Sequence, residues 1–195
     1  MCGNRTDGDG DASRRAKTEF LVQMQGVGHD ETGVLVLGAT NLPWDLDPAI
    51  RRRFERRIYI SLPDYTARLG MLKNSMKIDS HSLTDKDFEE FATITENYSG
   101  SDIMNLIKDA VYEPLRRLQS ANRFKRVVDG RWTPCKKDEE GEAKTWVDFK
   151  DQSELEIGKI TREDFLMALK RTRPSVDSKQ LSNYEEFTST FGQDG

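Results

Sequence analysis

Cysteine, histidine and proline are scarce in this 195-residue chain, at two, two and six. Cys2 and Cys135 are far apart, so no disulfide framework follows and a reducing cytosol is the default compartment. His29 and His81, without paired cysteines, give no ligand set for a structural zinc ion. Neither histidine has partners at triad spacing, so nucleophilic catalysis gains no support. No apolar run approaches the roughly 18 residues of a membrane-spanning helix, and residues 1–15 lack the apolar core of a signal peptide. Charge of one sign is also lacking. The net charge is −4, which excludes a general polyanion binder and confines any basic surface to a local patch.

Hydrophobic residues make up 35% of the chain and charged residues 33%, a balance that suits several helices with wide solvated faces. Residues 2–11 read as a glycine/aspartate loop. Its alternation Asp7-Gly8-Asp9-Gly10-Asp11 fails as a calcium loop, because Ala12 and Thr18 stand where glycine and glutamate are needed. Residues 13–25 read as a helix. The run 34–40 is apolar on both faces, as a central parallel strand must be, and ends at Asn41. Asp47 caps a short helix with Pro48 at its first position. Residues 57–62 read as a second strand nearer an edge.

A domain boundary is placed near residues 62–64, and the rest is mostly helical. A helix runs to about Ser75, Thr84 caps the next, and Ser99 with Asp102 forms a capping-box pair that opens a long helix. Pro114 should kink that helix. Residues 127–149 read as a small β-insert, in which 132–135 and 145–147 flank the loop 136–144. Thr161 caps a further helix, and a last helix spans about 178–191.

Asn41 lies at the carboxyl edge of a sheet strand, where open α/β sheets bind ligands, and a side-chain amide there can hold a water near a terminal phosphate. Asparagine also serves turns, and Leu42-Pro43 follows. Arg51, Arg52 and Arg53 point about 100° apart on a helix, so they cannot all meet one phosphate. Two are free to reach across a subunit interface while one packs at home, and the guanidinium fork suits phosphate oxygens. A solvated face paired with Glu55, or a nucleic-acid patch extended by Arg56 and Arg57, are the competing readings. The acidic net charge and the absence of aromatics spaced as a base-stacking platform oppose the latter.

Residues 18–26, then Gly38-Ala39-Thr40-Asn41-Leu42-Pro43-Trp44, then 49–60 with the arginine segment, resemble the AAA ATPases of the meiotic clade, and with the C-terminal part the resemblance spans nearly the whole chain. The insert around Trp132 to Cys135 and Thr145-Trp146, with the tail 187–193, resembles the vacuolar protein sorting branch that disassembles ESCRT-III. The resemblance implies an α/β fold: residues 1–62 as the C-terminal part of a parallel-sheet large domain, and 63–195 as a helical lid domain with the β-insert and a C-terminal helix. It makes Asn41 the sensor amide and Arg52 and Arg53 the arginine fingers that act on ATP held by the adjacent subunit. Gly100 and Ser101 line the adenine side. Residues 3–11 become the second pore loop. Asn97 departs from the family, which usually has glycine there.

Further expectations follow from the resemblance: a homo-oligomer, a hexamer, using ATP with Mg²⁺, acting on ESCRT-III subunits and binding an activator protein at the β-insert. Neither nucleic acid nor a membrane span is implied, and the location is cytoplasmic with peripheral recruitment to endosomes. A microtubule-severing sibling ATPase and a non-catalytic interaction fragment are the alternatives. The family's Walker A and Walker B motifs are not in the sequence. The chain is therefore expected to start just after Walker B and not to hydrolyse ATP alone. In the family's sheet the fourth and fifth strands, which this chain supplies, are separated by the first. Residues 1–62 are thus expected to be unable to build that sheet unaided.

Overall fold

A computed structural model describes residues 11–23, 35–54, 56–76 and 80–192. It divides into two units, one of residues 1–60 with 178–195, the other of residues 61–177.

In the first unit, helix α1 spans Asp11–Gln23. The expected pore loop, apart from Asp11, and His29 lie outside the described residues. Residues 35–40 belong to no helix and form no ladder with any described segment. Leu35 and Leu37 are 87% and 88% exposed. Residues 56–60 likewise belong to no helix or ladder among the described residues, with Ile58 and Ile60 at 67% and 89%. Among the described residues both expected strands therefore stand unpaired. Strand propensity describes a segment suited to a pleated, buried surface, and a strand forms only where neighbouring backbone supplies the ladder.

A 3₁₀ turn, Pro43–Asp45, leads into helix α2, Pro48–Arg51. Asp47 caps α2 by accepting from the Ala49 N–H at 2.8 Å, and Pro48 occupies a position whose missing donor costs nothing. Helix α7, Ser178–Phe191, completes this unit. The sequence grouped that helix with residues 63–195, whereas it packs with residues of the first unit, among them Asn41, Trp44, Arg51, Arg57 and Tyr59.

The second unit is built from α3 (Tyr65–Ser75), α4 (Asp85–Ile94), α5 (Gly100–Ser120) and α6 (Arg162–Arg171). Each begins where the sequence carries a side-chain acceptor: Asp64, Thr84, Ser99 and Thr161 each bind a first-turn amide. The last three form reciprocal capping boxes with Asp87, Asp102 and Asp164. Helix α5 runs unbroken through Pro114, which is buried. The apolar face of α5 (Ile103, Leu106, Ile107, Ala110) joins Leu72, Phe88, Phe91 and Phe165 in one core. The Phe91 and Phe165 rings stack with centroids 4.1 Å apart. Arg68, buried, donates to the Ala92 carbonyl at 3.0 and 2.9 Å and to the Pro63 carbonyl at 2.8 Å. A cation placed on the last carbonyls of α4 meets the negative end of that helix.

The β-insert differs from its expected shape. Strand β1, Phe124–Arg126, starts before residue 127 and pairs antiparallel with β2, Trp132–Pro134. The connection is therefore the short turn 127–131, closed by Gly130 at φ +86° and by the Val127 N–H on the Arg131 carbonyl at 2.8 Å. Residues Trp146–Asp148 form a 3₁₀ turn, at whose start the Asp148 carboxylate accepts from the Thr145 N–H at 2.7 Å and Oγ1 at 2.8 Å. Phe124, Trp132 and Leu118 make a second small core with Phe149 and Leu155.

Candidate functional site

The arginine segment lies at the end of α2, a helix of four residues. So short a helix has no stability of its own and must be held by packing. Ile50 supplies an inward anchor, at 1% exposure. The Arg52 N–H donates to the Pro48 carbonyl at 3.1 Å and the Arg53 N–H to the Ile50 carbonyl at 2.9 Å.

The neighbouring arginines then divide. The Arg51 guanidinium lies 4.0 Å from the Phe191 ring centroid and 5.9 Å from that of Phe187. Arg57 Nε donates to the Phe191 carbonyl at 2.6 Å, and its Nη1 donates to the carbonyls of Arg51 and Phe54 at 3.2 Å each. Arg52 and Arg53 are exposed, and among the described residues neither guanidinium has a hydrogen-bond, ion-pair or ring partner. Glu55, the partner required by the solvated-face reading, lies outside the described residues.

Asn41 is exposed and shares this unit. Its carbonyl accepts from Tyr184 Oη at 2.6 Å, while the Leu42 N–H turns back to Thr40 Oγ1 at 3.0 Å. The Tyr184 ring stacks on Tyr59 at 5.8 Å and meets Trp44 at 5.1 Å.

Gly100 and Ser101 belong to the other unit, in the first turn of α5. Ser101 is exposed; Gly100 is half-buried, and a Cβ there would sit 3.2 Å from Met71 Cε. First-turn amides have no acceptor within their own helix, which leaves this backbone able to donate outward. Beneath them Asp102 is buried. Burial pushes its carboxyl up, but bonds from the Ser99 N–H (2.9 Å) and Oγ (2.8 Å) and the Ser175 N–H (3.2 Å) and Oγ (3.1 Å) outweigh that and hold it below the usual carboxylate range. Among the described residues, no group of three or more His, Cys, Asp or Glu is placed to hold a metal ion.

Sequence reasoning missed Tyr184, Phe187 and Phe191 as partners of the site. Their spacing along α7, at i, i+3 and i+7, was the available signal: an aromatic face with no stated destination.

Three family models match successive stretches: the ATPase family associated with various cellular activities (AAA) over residues 1–62, the AAA+ lid domain over 85–127, and the Vps4 C terminal oligomerisation domain over 132–192. The chain belongs to the AAA ATPase family. Among curated relatives, vacuolar protein sorting-associated protein 4B of Pongo abelii is 45% identical over 207 residues, covering 100% of this chain and 46% of its own length. Vacuolar protein sorting-associated protein 4 of Dictyostelium discoideum is 45% identical over 206 residues, with the same coverage of 100% and 46%. The chain thus spans about half the length of these relatives. Among solved structures, the crystal structure of the FIGL-1 AAA domain superposes with a TM-score of 0.72 at 33% identity, over 94% of this chain and 53% of that one. The fold class implied by the resemblance, an AAA domain fragment with a lid domain, therefore holds.

Proposed function

We infer that this AAA chain contributes an arginine-finger segment and a phosphate-sensing amide to an ATP-hydrolysing ring that disassembles ESCRT-III polymers in vacuolar protein sorting. The observation that carries this reading is the split among the arginines. Arg51 and Arg57 are committed within the chain, whereas Arg52 and Arg53 are exposed and without an internal partner among the described residues. An exposed, permanently charged guanidinium projecting from a braced backbone is suited to a phosphate brought by another subunit. The match to an oligomerisation domain supports a ring of identical subunits, here a hexamer.

In that assembly Arg52 and Arg53 meet charge as it develops on the transferred phosphoryl group of the neighbour's ATP, an effect worth about 10³- to 10⁵-fold in rate. Asn41 holds the attacking water through its side-chain amide, its carbonyl being taken by Tyr184. Gly100 and Ser101 present first-turn backbone to the adenine side. ATP carries Mg²⁺, whose charge neutralises the phosphates when bound. No residue described here is assigned to it. The β-insert, in which the Trp132 ring meets the Arg126 guanidinium (4.9 Å) and Lys144 Nζ (4.0 Å), is the segment that binds an activator protein. The setting is cytoplasmic, with peripheral recruitment to endosomal membranes. Among the described residues no helix is long and apolar enough to cross a membrane.

The test is Arg52→Ala and Arg53→Ala in the assembled ATPase. Turnover should fall at least about 10³-fold while ATP binding persists. Full turnover in both variants would exclude the finger role.

A further inference from the structure

We propose that helix α7 is a positioning strut for the finger segment, with Arg51, Arg57 and Phe191 fixing the backbone from which Arg52 and Arg53 project. The proposal rests on the finger reading above.

Helix α2 is too short to hold its own carboxyl end, and Arg52 and Arg53 follow it in a turn. The single Nη1 of Arg57 binds the carbonyl just before the pair, on Arg51, and the carbonyl just after it, on Phe54. One guanidinium therefore brackets the two fingers. Its Nε reaches the Phe191 carbonyl in the last turn of α7. That carbonyl belongs to the negative end of the helix, where a cation is favoured. Phe191 adds a second tether by placing its ring face under the Arg51 guanidinium, and Phe187 supports that ring from 5.0 Å. About two turns before Phe191, Tyr184 of the same helix holds the Asn41 carbonyl. A single helix thus braces both the sensing amide and the fingers of one subunit. Displacing either end should misplace the charges without touching the ATP pocket that the neighbouring subunit provides.

Phe191→Leu removes the ring face but keeps apolar bulk, and Phe191→Tyr restores the face. In the assembled ATPase, Phe191→Leu should lower kcat at least tenfold with KM for ATP and ring assembly unchanged, and Phe191→Tyr should return kcat to within about twofold. Arg57→Lys, which keeps charge but loses the fork, should behave like Phe191→Leu. In the 195-residue chain, hydrogen exchange at the Arg52 and Arg53 amides should accelerate about tenfold in Phe191→Leu and not at all along α5. An unchanged kcat and unchanged exchange in Phe191→Leu would overturn the proposal. So would a kcat that falls only in proportion to lost assembly, because the helix would then act through ring formation. Arg52→Ala measured alongside separates the two readings. If it abolishes turnover while Phe191→Leu leaves it intact, the strut alone fails; if it leaves turnover intact, the finger reading fails.

Discussion

Tyr184 Oη and the Asn41 carbonyl are joined by a 2.6 Å hydrogen bond between residues 143 apart in sequence. The same ring packs against Tyr59 and Trp44, so the bond is one part of an aromatic clasp on the Asn41 turn. Tyr184→Phe keeps the packing and removes the bond. The cost should be about 0.5–1.5 kcal/mol, which hydrogen exchange of the α7 amides would register as a few-fold to tenfold acceleration. Tyr184→Ala, losing the rings as well, should release the helix further.

Asn97 follows α4 with φ at +66°, in the left-handed region. This is the physical content of the glycine that the family usually places there. A residue with a Cβ meets the following carbonyl in that conformation, and asparagine tolerates it better than most. Asn97→Gly should be neutral to slightly stabilising, and Asn97→Ala should cost about 1–2 kcal/mol in urea denaturation of the helical unit. Equal midpoints for the two variants would show that backbone conformation is not limiting there.

Acid should unfold the helical unit through its depressed carboxylates. Burial pushes Asp102 and Asp109 up. The Ser99 and Ser175 bonds reverse this for Asp102, and Arg116 and Arg171 reverse it for Asp109. Both therefore sit below their unfolded value of about 3.9. A depressed folded value means that the unfolded chain binds protons first as pH falls. The stabilisation is complete above about pH 4 and is lost below it. Asp102→Asn should lower stability at neutral pH, since one neutral amide oxygen replaces a carboxylate oxygen accepting four donors. It should also flatten the acid limb of a stability–pH curve. An acid limb identical to that of the parent chain would remove Asp102 from the account.

What could be read in the sequence was mostly what is decided within a few residues. The caps at Asp47, Asp64, Thr84, Ser99 and Thr161 are local chemistry, and each opens a helix where expected. The apolar face of α5 was equally plain, since its period repeats over several turns. The pairing of β1 was not, because Phe124–Arg126 directly follows a long helix and carries no alternation strong enough to mark it as a strand. Nor was the division of labour among the arginines. Arg51, Arg52 and Arg53 are identical in type and adjacent. Only an aromatic face more than a hundred residues later distinguishes the first of them. That contact is tertiary, and no local pattern around residue 51 announces it.

Residues 35–40 and 56–60 share an exposed apolar character. Leu35, Leu37, Ile58 and Ile60 are exposed on backbone that has no ladder among the described residues. Extended apolar chain with unpaired N–H and C=O groups is a template for pairing with another copy. The isolated 195-residue chain should therefore self-associate with rising concentration, and salt should strengthen rather than weaken the effect, because burial of apolar surface drives it. Leu37→Lys combined with Ile60→Lys places a charge on each segment, which should keep the chain monomeric in sedimentation velocity at concentrations where the parent associates. The helical unit should be untouched, with an unchanged melting temperature, since neither residue belongs to its core. A parent chain that stays monomeric, with slow hydrogen exchange across residues 35–40, would mean that these strands are satisfied within one molecule.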